Sequence, residues 1–147
     1  MNNANFKILD RSSNLKDTNY VIISAGKGKE DNSKIYIEYY AFSFLEGLIW
    51  DKYREYNNRK KIKITSLDIK RILDGIIIAA NGLGKVDEKE IKDILKFDLY
   101  SPKYPLSDLI ENLDYFKDFI IKFTNCILDF AEKEKYIIIN RENIESF

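Results

Sequence analysis

"PLSDLIENLDYFKDFIIKFTNCILDFAEKEKYIIIN", residues 105–140, is the stretch whose reading decides the fold. Leu106, Leu109, Ile110, Leu113, Phe116, Phe119, Ile120, Phe123, Ile127 and Phe130 recur at helical spacing along it. The pattern predicts one long amphipathic helix over Ser107–Lys133, buried along its phenylalanine-rich side. After it the period changes. "KYIIIN", Lys135–Asn140, is β-branched and reads as a strand. The closing "RENIESF" reads as a frayed end.

Working back from the helix, the N-terminal third supplies the surface it needs to cover. "YVIISA" (Tyr20–Ala25) and "KIYIEYY" (Lys34–Tyr40) are β-branched and aromatic, and a glycine-rich polar stretch, Gly26–Ser33, joins them. Strand, turn-forming loop and strand predict an antiparallel hairpin. "FKIL" (Phe6–Leu9) and the tail strand are candidates to extend it. The Gly26-Lys27-Gly28-Lys29 loop is not a phosphate cradle. Such a loop needs G-x-x-x-x-G-K-[ST] opening into a helix, whereas here Glu30 and Asp31 follow and then a strand.

Three further helices are expected. Ser43-Phe44-Leu45-Glu46 fits a capping box, and Phe42, Leu45, Ile49, Tyr53 and Tyr56 fall on one stripe of a helix over Phe44–Tyr56. "KIKIT" (Lys61–Thr65) alternates as a short strand does. Thr65 or Ser66 then caps a helix carrying Ile69, Ile72, Leu73, Ile76 and Ala80, with Asn81-Gly82 as a left-handed stop. Asp87-x-x-Glu90 opens a shorter helix with Ile91, Ile94 and Leu95 inward. The fold class is therefore α+β: a single domain, residues 1–147, with an antiparallel hairpin or small sheet packed on about four helices.

Composition removes many kinds of chemistry. The chain has no histidine and one cysteine, Cys126. Ser-His and Cys-His nucleophile pairs and the histidine and thiolate zinc sites are thereby absent. Cys126, close to the apolar side of the long helix, is expected to be a buried, inert thiol. "DEKE" (Asp87–Glu90) lacks the alternate-position acids and glycine of a calcium loop. No cofactor and no metal are expected. "MNNANFKILD" does not resemble a signal peptide, and no apolar run approaches the about 18 residues of a membrane helix, so a cytoplasmic location is expected.

Net charge is zero, yet the charges are segregated. Lys52–Arg71 holds eight basic residues against two acids, and Pro105 to the end holds nine acids against five bases. Asp108, Glu111, Asp114 and Asp118 sit three, three and four apart, so they share one side of the long helix. Tyr100 and Tyr104, in the proline-bounded connector "DLYSPKYPL", suit a protein interface or the edge of the core. The expectation is a protein-binding module with no enzymatic activity. It is of the immunity or antitoxin kind, neutralising a cationic toxin domain such as a nuclease through this acidic side. The alternatives are a nucleic-acid-binding regulator that uses Arg59, Lys60, Lys61, Lys63, Lys70 and Arg71, with a helix-turn-helix in view, and a carboxylate-dependent enzyme.

Overall fold

The strands alternate, and the alternation builds a two-layer molecule. A computed structural model describes residues 6–9, 19–26, 34–56, 60–84, 87–102 and 104–144. Their strands are β1 (Ile8–Leu9), β2 (Tyr20–Ala25), β3 (Lys34–Glu38), β4 (Lys61–Thr65) and β5 (Tyr136–Asn140). They form one sheet in the order β1-β3-β2-β5-β4, with every neighbouring pair antiparallel. Val21, Ile23, Ile35, Ile37, Ile62, Ile64, Ile137 and Ile139 point to one side and are buried. Period-2 alternation therefore places Tyr20, Ile22, Tyr36, Lys61, Lys63, Tyr136 and Ile138 on the other side. The strand expected from the tail takes an interior position between β2 and β4, and the strand expected at Lys61–Thr65 forms an edge.

The helices cover the buried side. They are α1 (Tyr39–Ser43), α2 (Glu46–Lys52), α3 (Ser66–Gly82), α4 (Glu88–Ile94), α5 (Leu106–Glu111) and α6 (Leu113–Lys133). The architecture is α+β, as the periodicities predict. Phe116, Phe119, Ile120, Phe123, Ile127 and Phe130 of α6 are buried. Phe119 stands 5.9 Å from Phe123, and Phe42 of α1 packs on Phe123 at 6.2 Å between ring centroids. Thr65 Oγ1 accepts from the Asp68 amide to cap α3, and Asp87 accepts from the Glu90 amide at 2.8 Å to cap α4.

Local competition for hydrogen bonds accounts for the places where helices depart from expectation. The long helix divides at Asn112. Its Nδ2 donates to the Asp108 carbonyl at 2.9 Å, and its backbone N–H turns to Leu109 O at 3.0 Å. A side-chain amide that occupies the i−4 carbonyl competes with the helix ladder. The Ser43–Glu46 capping box does not form. Ser43 Oγ donates to Tyr40 O at 2.8 Å, and Glu46 turns inward, so α1 and α2 replace the helix over Phe44–Tyr56. Tyr39 and Tyr40, expected in a strand, open α1. The left-handed stop is not at Asn81-Gly82, which both remain in α3. It lies after α4 at Lys96 (φ 59°), where Phe97 N–H reaches Lys92 O and Lys96 N–H reaches Asp93 O. Ile110, expected inward, is exposed, because the break at Asn112 shifts the phase of α5 against α6. Cys126, expected buried, is half-buried, and its surroundings push the thiol pKa up.

Candidate functional site

Glu46 is a single charge in the apolar run "AFSFLEGLIW", and α2 carries it into the interior, where it is 0% exposed. A carboxylate so placed requires a cation and donors. Arg141 supplies the cation: Nη2 lies 2.9 Å from Glu46 Oε2. Tyr39 donates to Oε1 at 2.6 Å, and Tyr56 donates to Oε2. Arg141 Nη2 also donates to Tyr100 Oη at 2.8 Å, and the guanidinium stacks 5.5 Å from the Tyr56 ring centroid. Burial pushes the Glu46 carboxyl above its ordinary range, against Arg141 and the two phenols, which favour the carboxylate. Burial and then the Glu46 charge push the Tyr39 and Tyr56 phenols up.

This cluster is the most perturbed set of titratable groups described, yet it is closed. Strand β5 delivers Arg141, whose N–H bonds Lys60 O at 2.6 Å, and the residue is 8% exposed rather than frayed. The network ties α1, α2, the Tyr56 and Tyr100 connectors and the end of β5 together. Glu46 itself is fully occluded.

The acidic residues fall on the outer side of the helix layer. Glu111, Asp114 and Asp118 are exposed or half-buried at the rim, as is Asp108. Among the described residues none of the four forms an ion pair. Three large apolar side chains interrupt them: Ile110 (40% exposed), Tyr115 (44%) and Ile121 (59%). Beside the strip, Tyr115, Asp118 and Lys122 form one wall of a cleft of about 250 Å³, and Lys7 and Leu9 form the other. Tyr104 stands just ahead of α5, against Tyr40, whose phenol pKa is pushed up by burial and then by Asp108 and Glu111. Tyr100 packs on Trp50 at 5.6 Å, and Tyr104 packs on Tyr40 at 4.9 Å, both half-buried at the core edge.

The basic residues are divided between the edge strand and a helix. Lys61 and Lys63 project from edge strand β4 on the side of the sheet away from the helices, with Lys63 Nζ 4.1 Å from the Tyr136 ring centroid. Lys70 and Arg71 are exposed on α3 in the other layer, and Arg71 donates to Lys52 O at 2.7 Å. Lys60 is exposed at the entry to β4, and Arg59 lies outside the described residues. The helix pair in view for a helix-turn-helix has a second member, α4, of only seven residues, which begins Glu88-Lys89-Glu90.

The chain matches no protein-family model, no curated protein and no solved structure. Two interior residues escaped the sequence reading, Glu46 and Arg141. The signal they carried was an isolated acid within an apolar run and a cation that directly follows an apolar strand. Each is a charge that the surrounding pattern draws inward.

Proposed function

We propose that this protein is a small binding protein, not an enzyme, which docks a cationic protein partner through the outer strip of α5 and α6. One observation carries the proposal. Ile110, Tyr115 and Ile121 stand exposed among Glu111, Asp114 and Asp118, whose carboxylates make no ion pair among the described residues. Single exposed apolar residues are ordinary. An aromatic anchor and two aliphatic ones inside a mainly acidic rim, which Lys117 and Lys122 interrupt, have the composition of an interface centre with its polar border. Carboxylates that form no ion pair among the described residues, though Lys117 and Lys122 share their helix, add steering toward a positive partner.

The role put forward is neutralisation of a toxin, in the manner of an immunity or antitoxin protein that fills a cationic groove such as that of a nuclease. The closed state of the Glu46 cluster supports binding over catalysis, since its perturbed groups hold the fold and Glu46 is fully occluded. Capture with the tagged full chain tests the reading. Wild type should retain a basic protein from the native lysate. Asp114→Lys/Asp118→Lys should lose it while keeping its circular dichroism and melting temperature, and Lys60→Glu/Lys61→Glu should retain it. Loss with the basic pair and retention with the acidic pair would overturn the proposal.

A further inference from the structure

The open side of the sheet carries a second arrangement, independent of the acidic strip. Pleating places Leu9, Tyr20, Ile22, Tyr36, Tyr136, Ile138 and Asn140 there, with Lys34, Lys61 and Lys63 among them. The register aligns Tyr36 with Ile22 and Ile22 with Asn140, and Asn140 with Lys61, in one row across four strands. Ser24, Ile138 and Lys63 form the next row, begun by Lys34. Tyr20 and Tyr36 rings lie 6.1 Å apart. The helices cover the opposite side; on this one Tyr20, Ile22, Tyr36, Tyr136 and Ile138 are half-buried, Ser24 is buried, and Lys61 and Lys63 are exposed. Among the described strand residues, Glu38 is the only acid on this side, and it is buried.

We infer that this side of the sheet is a platform for single-stranded RNA, with bases stacked on Tyr36 and Tyr136 and phosphates held by Lys34, Lys61 and Lys63. Charge complementarity chooses the occupant. Three lysines with no exposed acid among the described strand residues attract a polyanion. Tyrosines on a sheet present rings to unstacked bases, which a duplex keeps inside. A five-stranded sheet is also broader than the helix or two-stranded ribbon that a duplex groove admits. Between the two single-stranded polymers, RNA is the committed occupant, because single-stranded stretches are its ordinary state and a transient one for DNA. Lys63 Nζ lies over the Tyr136 ring at 4.1 Å from its centroid, so the lysine swings off the ring to a phosphate as a base takes its place.

The test is fluorescence anisotropy of a labelled RNA of about 12 unstructured nucleotides, within the site sizes usual for such sheets, with the full chain at low and at physiological salt. Wild type should bind saturably and weaken with salt. Lys61→Glu/Lys63→Glu should weaken binding at least tenfold and reduce the log–log salt slope by about 2, about one per lysine. Tyr36→Ala and Tyr136→Ala should each weaken it by about fivefold to more than a hundredfold. Should either alanine variant fail to fold, Tyr36→Leu or Tyr136→Leu, which keeps apolar bulk without a ring, should still lose binding. Asp114→Asn/Asp118→Asn should leave RNA affinity within about twofold, which separates this face from the acidic strip. No saturation at low salt would overturn the inference, and so would unchanged affinity in the lysine pair. Equal or tighter binding of the same sequence as DNA would overturn RNA as the occupant. Binding only to phosphatidylserine vesicles would replace it with a membrane surface.

Discussion

Glu46 and Arg141 show what a buried charge requires of its neighbours. Each neutralises the other, and Tyr39, Tyr56 and Tyr100 add hydrogen bonds around them. An ion pair in such a place is not by itself a source of stability, because desolvation opposes the attraction. Breaking it is costly all the same. Arg141→Met, which leaves Glu46 occluded without its cation, should cost about 3–5 kcal/mol. Glu46→Leu/Arg141→Met should be less destabilising than Arg141→Met alone, as read from urea midpoints at constant slope. A double variant worse than the single would show that the cluster stabilises by more than mutual compensation. The phenols make a second prediction. The fold holds protons on Tyr39 and Tyr56 beyond their ordinary value near 10, by burial and by the Glu46 charge. Unfolded, both ionise near pH 10. Above that pH the unfolded chain binds fewer protons than the folded one, so stability falls as pH rises. Tyr56→Phe should flatten that alkaline fall in melting temperature, and equal steepness in the two proteins would contradict the assignment.

Among the helices and strands, packing at close quarters overrides propensity. Gly47 in α2 would gain about 1 kcal/mol of helix propensity as alanine. Its Cβ, however, would lie 2.6 Å from the carbonyl oxygens of Leu95 and Lys96, both backbone atoms. Gly47→Ala should therefore destabilise by about 1–3 kcal/mol, the usual cost of overpacking, and a neutral result would show that the turn after α4 yields. Phe119→Ala or Phe123→Ala, each opening the buried stripe of α6, should cost about 3–5 kcal/mol in urea denaturation. A loss below about 1 kcal/mol would contradict their burial. Long periodic patterns made α6, α3 and all five strands legible from the sequence, since a sustained apolar stripe or alternation arises chiefly where one face is buried. The breaks were not legible. Asn112 divides α5 from α6 by a side-chain bond to Asp108 O, and Ser43 ends α1 by a bond to Tyr40 O. Both residue types are also ordinary at helix surfaces and caps, so spacing alone does not reveal which backbone group they take. The acidic strip was legible as a set, and its apolar companions Tyr115 and Ile121 were not. Which exposed residues share a face depends on the phase shift at Asn112.

Across the whole molecule, two patches, one in each layer, carry different charge. The helix layer presents Glu111, Asp114 and Asp118 around Tyr115, and the sheet presents Lys34, Lys61 and Lys63 around Tyr36 and Tyr136. Zero net charge conceals this division, because it sums over separate surfaces. The lysines on β4 also protect an exposed sheet edge from pairing with another chain, so their reversal must be judged by binding and by oligomeric state together. Lys61→Glu/Lys63→Glu should remain monodisperse at the wild-type size in light scattering, because glutamate keeps a charge on the edge. Growth in size would assign the lysines chiefly to edge protection. The central claim is that the acidic strip docks a cationic protein. Its most direct test is the association rate of the captured partner, followed at low and at physiological salt for wild type and for Asp114→Lys/Asp118→Lys. Steering by exposed charges predicts a wild-type rate that falls with salt, and a slower, nearly salt-independent rate in the variant, whose fold is unchanged. Identical rates and identical salt dependence in the two proteins would contradict it.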